Sequence, residues 1–105
     1  MKLPKSVKIG AIRYKIKLVP RSEFDHDDAW GVFRFRARCI DLARDLDRRS
    51  LASTLLHEIL HGVCQVFNID KLEDEEKLVE SLENGLTAVM ADNPGLFAAI
   101  EKEMR

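Results

Sequence analysis

The spacing of apolar residues changes once along this chain, and that change limits the folds the chain can adopt. From residue 7 to residue 19, apolar residues alternate with lysines and arginines, which is the two-residue period of a strand with one solvated face. From residue 48 onward they recur every three or four positions, which is the period of an amphipathic helix. The sequence therefore predicts a β-rich first half and a helical second half.

The first half predicts three or four strands. The alternation over residues 7 to 19 is interrupted at residues 10 and 11, which predicts a hairpin. The polar, acidic stretch from 20 to 28 is predicted to be a loop. Apolar residues alternate with arginines again from 30 to 38, and a further strand is predicted at 39 to 42. We expect these strands to form a small antiparallel sheet.

Two main helices are predicted to follow the sheet. Asp47 is suited to cap a helix over residues 48 to 67, and Leu46 before it can pack on Leu51 as a hydrophobic staple. A second helix is predicted over residues 72 to 91, and a short amphipathic segment ends the chain. The expected fold class is α+β, with a small antiparallel sheet of three to four strands, two main helices and a short C-terminal helix.

Size and composition predict one soluble domain over residues 1 to 105. The chain is 46% hydrophobic and 33% charged, with a formal net charge of -1, which is typical of a globular protein and gives no reason to expect a nucleic-acid partner. We expect no membrane contact and a cytoplasmic location, because the sequence has neither an apolar signal region nor a run long enough to span a bilayer. Cys39 and Cys64 fit a reducing compartment as free thiols.

One short motif predicts metal chemistry. His57, Glu58 and His61 form the pattern H-E-x-x-H on the first predicted helix. Two histidines four residues apart lie about 40° apart around a helix, so their imidazoles can share one zinc ion. The glutamate between them can then take a proton from water that the metal has activated. Zn²⁺ is therefore the expected cofactor, with Glu58 as the catalytic residue.

A catalytic zinc site needs a third protein ligand, and the second predicted helix is rich in acids. Pairing the two helices symmetrically about residue 70 puts Glu80 opposite Leu60 and favours Glu80. The direction of the side chains favours Glu76, which deviates from the apolar face centred near Leu82 by about 120°, against about 160° for Glu80. The two glutamates remain alternatives on this reasoning.

The chain resembles a known family, the small phage- and prophage-encoded zincin-like proteins related to the gluzincin metallopeptidases. The resemblance rests on the β-rich first half and on the sequences at 54 to 62, 75 to 79 and 84 to 94. In that family an acidic residue, a valine three positions later and then a leucine mark the ligand helix, which maps onto Glu76, Val79 and Leu82. The resemblance implies a zincin-like fold, Glu76 as third zinc ligand, and Glu80 as an alternative ligand or as an acid that orients a ligating histidine.

The motif and the resemblance together predict a zinc-dependent metallopeptidase. Its substrate would be a protein or peptide, and Glu58 would act as general base on metal-activated water. The alternative is a protein-interaction module of phage or mobile-element origin that uses the same fold with limited catalysis. A third hypothesis leaves out the metal and treats both histidines as ordinary helix surface.

Three other residues each admit two interpretations. Cys64, one turn after His61, either lines the site or is a small buried thiol, and the second is favoured. His26, among loop acids, could have a role in the site, as a ligand of a second cation or as an electrophile. The favoured interpretation is a solvated loop residue. Tyr14 either lies near the reacting carbonyl or packs on the sheet, and packing is favoured.

Overall fold

The structure is a computed structural model that describes residues 3–25, 29–71 and 73–105, with the side chain of Asp70 left aside. It has the predicted α+β layout, a four-stranded sheet followed by two main helices and a short third one. Within the described ranges, none of the helices combines the length and the apolar character needed to cross a bilayer.

The first two strands form the predicted hairpin. Strand β1 is Ser6–Ile9 and strand β2 is Ile12–Val19, and they pair antiparallel. Gly10, in the turn between them, has a φ of 65°, a conformation that glycine adopts without the steric penalty of a β-carbon. The turn also lies close to the first long helix, because a β-carbon at Gly10 would be 2.7 Å from Cγ1 of Val66.

The sheet is mixed, whereas the sequence predicted an antiparallel one. Strand β3 is Gly31–Arg34 and strand β4 is Cys39–Ala43, and the strand order is β1-β2-β4-β3. The β1–β2 and β3–β4 pairs are antiparallel as expected, but β4 runs parallel to β2. Every residue of β4 is buried. This strand lies inside the sheet, where both of its faces are covered. This arrangement leaves β3 at the edge.

The helices occupy the second half of the chain. Helix α1 is Arg48–Val66, a 3-10 turn follows at Ile69–Lys71, helix α2 is Glu75–Asp92, and helix α3 is Leu96–Met104. The side chain of Asp47 accepts a hydrogen bond from the backbone N–H of Ser50 at 3.4 Å, which confirms the predicted cap. Helix α2 begins three residues later than predicted, after its own cap at Asp74.

Helix α1 packs on the sheet face that carries the alternating apolar residues. A β-carbon at Gly62 would be 2.8 Å from Cδ1 of Ile9 and 2.8 Å from Cε1 of Phe33, so the helix backbone approaches both β1 and β3 closely. The core between helix and sheet contains Tyr14, Ile40, Leu42, Leu55 and Ile59, all fully buried. Burial of such side chains is the main term that holds the helix in place.

Helix α2 packs against the C-terminal part of α1. A β-carbon at Gly85 would be 2.7 Å from Cγ1 of Val63. At the far end of α2, the side chain of Asn93 bridges the backbone of Lys8, accepting from its N–H at 2.7 Å and donating to its C=O at 2.7 Å. Helix α3 continues toward the start of α1, where Arg48 Nη2 donates to the C=O of Lys102 at 3.0 Å.

Candidate metal centre

The two histidines of the motif converge. Nε2 of His57 lies 3.1 Å from Nε2 of His61, and the ring centroids are 4.7 Å apart with planes inclined at 76°. Both side chains are exposed on the surface of α1. The helical spacing of four residues thus brings the two imidazoles together at one point, as the sequence predicted.

This convergence fits a zinc ion. Zinc bound tetrahedrally at about 2.0 to 2.1 Å holds two ligand nitrogens about 3.3 Å apart, close to the observed separation of 3.1 Å. Imidazole nitrogen is also a preferred zinc ligand. The His57 and His61 side chains therefore fit the metal in both chemistry and spacing.

Glu58 differs sharply from its two neighbours in its surroundings. Its side chain points away from solvent, and the residue is 6% exposed. Burial raises the pKa of its carboxyl group, while the nearby imidazoles of His57 and His61 and a hydrogen bond from the backbone N–H of Phe33 oppose that rise. A raised pKa brings a carboxylate closer to the range in which it can accept and release protons near neutral pH.

The three motif residues lie in an open groove of about 790 Å³. One wall is the edge strand β3 with the residues next to it, and the other is the C-terminal half of α1 with the turn that follows. The lining residues are Gly31, Val32, Phe33, Phe35, His57, Glu58, His61, Cys64, Gln65, Asn68 and Lys71. The groove therefore has Glu58 in its wall, between the two exposed histidines and strand β3.

The structure does not bring Glu76 or Glu80 to the histidine pair. Both are exposed on the first turns of α2, and the described residues contain no cluster of three or more His, Cys, Asp or Glu side chains suited to a metal. Symmetric pairing about residue 70 would put residue 77 against Val63, but Gly85 lies there instead. The register that favoured Glu80 opposite Leu60 is therefore not the one found. The third ligand stays a prediction.

The other candidate residues have different outcomes. Cys64 is half-buried and lines the groove. The sequence had favoured a small buried thiol over a residue that lines the site. Tyr14 is fully buried and packs on the ring of Phe33 with centroids 4.8 Å apart, which agrees with its interpretation as a sheet residue. Burial raises the pKa of its hydroxyl group. His26 lies outside the described residues.

Sequence reasoning missed part of the groove. The backbone N–H of Phe33 had no signal in the sequence, because its role depends on how β3 docks against α1. Gln65, Asn68 and Lys71 did carry a signal, since they continue the spacing of His57 and His61 at intervals of four, three and three residues. A stripe of polar residues along one side of α1 and the turn after it marks a surface that the core leaves open.

The chain was compared with protein-family models, with curated proteins and with solved structures, and none of the three comparisons gives a match. The resemblance to zincin-like proteins therefore remains an expectation drawn from sequence motifs. What the fold defines is an α+β domain in which an H-E-x-x-H helix faces an edge strand across an open groove.

Proposed function

We propose that the protein is a zinc-dependent peptide hydrolase, with His57 and His61 as metal ligands and Glu58 as general base. The observation that carries this proposal is the 3.1 Å convergence of the two Nε2 atoms beside a buried glutamate. An ordinary helix surface has no need for a buried acid next to two facing imidazoles, because burying a carboxylate costs free energy. Sites that combine such groups in a cleft are typical of catalysis.

Within this proposal, each group has a defined task. When bound, zinc supplies Lewis acidity that polarises a carbonyl oxygen and makes water easier to deprotonate. Glu58 accepts the proton from water and later donates it to the leaving amine. The backbone N–H of Phe33, which lowers the pKa of the Glu58 carboxyl group, would help to orient that carboxylate.

Strand β3 would position the substrate. It is an edge strand, and residues 31 to 33 and 35 form one wall of the groove. An extended peptide can pair with such an edge through main-chain hydrogen bonds. Pairing there would hold a peptide bond opposite His57, His61 and Glu58, which makes a protein or peptide the proposed substrate class.

A third ligand from α2 belongs to this proposal. The resemblance favours Glu76, with Glu80 as the alternative or as an orienting acid. Both side chains are exposed, and among the described residues neither forms a metal-ligating cluster with the histidines. A ligand from α2 would therefore require the first turns of that helix to approach the histidine pair. The two free thiols, Cys39 and Cys64, support a cytoplasmic location for this chemistry.

The proposal is tested by metal content and activity together. Protein purified without chelators should contain close to one zinc ion per chain, and it should cleave an unstructured protein such as a casein. Glu58→Gln should keep the metal and lose cleavage, whereas Glu83→Gln, an exposed acid on α2, should keep both. Protein without zinc, or full cleavage by Glu58→Gln, would overturn the proposal.

The alternative function is a protein-interaction module of phage or mobile-element origin with limited catalysis. One observation favours it: Trp30 and Phe35, next to the groove and in its wall, are 50% and 45% exposed. Exposed aromatic side chains are common at protein interfaces. If Glu58→Gln retains the biological effect of the protein, the interaction module is the better account.

A further inference from the structure

The two ends of the groove differ in charge. Glu58 and the histidine pair are at one end. Gln65 lies one turn beyond His61 on α1, and Asn68 and Lys71 follow the end of that helix, so these polar side chains line the groove past the histidine pair. Among the described residues that line the groove, Lys71 is the only lysine or arginine and Glu58 the only acid. Opposite charges at two points of a groove favour a ligand whose own charges are complementary to them, and they therefore favour one orientation of that ligand.

The fold builds this cationic end from the termination of α1. Asn68 has a φ of 56°, which turns the chain out of the helix. The backbone N–H of Lys71 then donates to the C=O of Asn68 at 3.4 Å, which closes the 3-10 turn. Ile69 in this turn is 3% exposed and anchors it in the core. Lys71 is thereby held at the groove while its side chain stays in solvent.

The edge strand β3 runs along the groove beside helix α1. A β-carbon at Gly31 would be 2.8 Å from Cγ2 of Thr54, and one at Gly62 would be 2.8 Å from Cε1 of Phe33. Strand β3 and helix α1 therefore run in the same direction along the groove. Phe35 follows β3 toward the Lys71 end and exposes 45% of its surface there.

We propose that the Lys71 end of the groove binds a carboxylate of the substrate, next to an apolar side chain that contacts Phe35. This inference rests on the proposed function, because it assumes that an extended peptide fills the groove. Lys71 supplies an ammonium group, and Gln65 and Asn68 supply amide N–H donors. A carboxylate is the anion that a peptide offers to such donors, and it forms charge-assisted hydrogen bonds with them.

The spacing predicts where the carboxylate lies in the peptide. Helix α1 ends at Val66, about 7.5 Å beyond His61 at a helical rise of 1.5 Å per residue. Asn68 and Lys71 follow in the next turn, so they lie on the order of 10 Å from His61. An extended peptide advances about 3.3 Å per residue, so the carboxylate is about three residues from the bond beside the histidines. It can be an Asp or Glu side chain or the C-terminal carboxylate of the substrate.

The inference is tested by peptide binding, which does not require cleavage. Glu58→Gln protein is titrated, with and without zinc, into dye-labelled extended peptides, and binding is followed by anisotropy. The first arm compares a peptide that carries Glu about three residues from its centre with the same peptide carrying Gln, both with amidated C-termini. The second arm places the free C-terminal carboxylate at that position, and a matched peptide is amidated there.

We expect either carboxylate to improve binding about fivefold at low salt, the effect of one exposed ion pair, and the gain to shrink as salt rises. Lys71→Gln should remove the preference, and Lys71→Glu should reverse it in favour of a peptide with Lys at that position. Lys77→Gln, an exposed lysine on α2, should leave the preference unchanged.

The outcomes separate this inference from the proposed function. A preference that depends on Lys71 supports the inference even if the wild-type protein cleaves nothing. Zinc-dependent cleavage with no preference for either carboxylate leaves the function standing and overturns the inference. An acidic preference that survives Lys71→Glu also overturns it, because some other cation would then be responsible.

Discussion

Gly85 of α2 packs directly against Val63 of α1, with room for a hydrogen atom but not for a methyl group. A β-carbon at position 85 would be 2.7 Å from Cγ1 of Val63 and 3.2 Å from Cδ2 of Phe67. This contact lies eight residues further along α2 than symmetric pairing of the two helices about residue 70 predicts, which is a shift of the contact toward the C-terminal end of α2. The position of every acid on α2 relative to the histidine pair depends on that shift.

Gly85→Ala should therefore lower the free energy of unfolding. The methyl group overpacks a buried site at a cost of about 1 to 3 kcal/mol, while alanine regains about 1 kcal/mol of helix propensity. We expect a net loss of about 1 kcal/mol in urea unfolding. Val63→Ala should make space, so the double variant should be less destabilised than the sum of the single ones. Additive losses would show that the two residues do not limit each other.

The third ligand can be assigned by zinc retention. Glu76→Ala and Glu80→Ala are compared with Glu83→Ala in competition with a chromophoric chelator. We expect Glu76→Ala to weaken zinc binding most and Glu83→Ala not to change it. If Glu80 orients a histidine, its removal should weaken binding by about 10- to 100-fold. The largest loss at Glu80 would assign the ligand there, and equal binding by all three variants would show that α2 supplies no ligand.

Glu58→Gln tests the proton-transfer step. Loss of a general base typically lowers the rate by about 10² to 10⁴, and the variant should still bind zinc because His57 and His61 are intact. The measurements are kcat on a quenched peptide and zinc content of the same sample. A matched fall in zinc content and rate would instead indicate that Glu58 holds the site together.

The two thiols should differ in reactivity and in pH dependence. Cys39 is buried, and burial, followed by the neighbouring Asp41 carboxylate, raises its pKa above 9.0. Cys64 lines the groove and should react first with a thiol reagent. Because the folded state disfavours the Cys39 thiolate, the stabilising contribution of the neutral thiol is complete below the unfolded pKa and is lost as pH rises through the folded pKa.

The unfolding free energy of the wild type should consequently fall above about pH 9 more steeply than that of Cys39→Ala. Urea unfolding at several pH values measures the difference. Parallel curves for the two proteins would contradict the assignment. Cys64→Ala is the control, and it should keep the wild-type slope while removing the fast phase of labelling.

Local patterns predicted much of this fold. The Gly10 hairpin, the Asp47 cap and the extent of α1 each depend on residues that are close in sequence, and each is found where it was expected. The strand order was not predictable in this way. Alternation shows which residues share a face, but it does not show which strands are neighbours. The structure places β4 inside the sheet, where all of its residues are buried.

The candidate site shows the same division. The convergence of His57 and His61 follows from a spacing within one helix, so it was predictable. The approach of Phe33 to Glu58 depends on the docking of β3, and the point at which α2 meets α1 depends on the close contact between Gly85 and Val63. Neither of these long-range relations is encoded in a local period.

The placement of β3 at the edge of the sheet also affects how the protein can associate with other copies of itself. In the described part of the chain its outer edge pairs with no strand, so the N–H and C=O groups that would receive a substrate are equally open to a strand from another copy of the protein. Arg36 and Arg38 are exposed just after this strand, whereas Arg34 on the strand is paired with Asp41 at 2.8 Å. Like charges at Arg36 and Arg38 repel a second copy in register. Neutralising Arg36 and Arg38 would make the protein more prone to aggregate while leaving the Arg34–Asp41 ion pair between β3 and β4 in place.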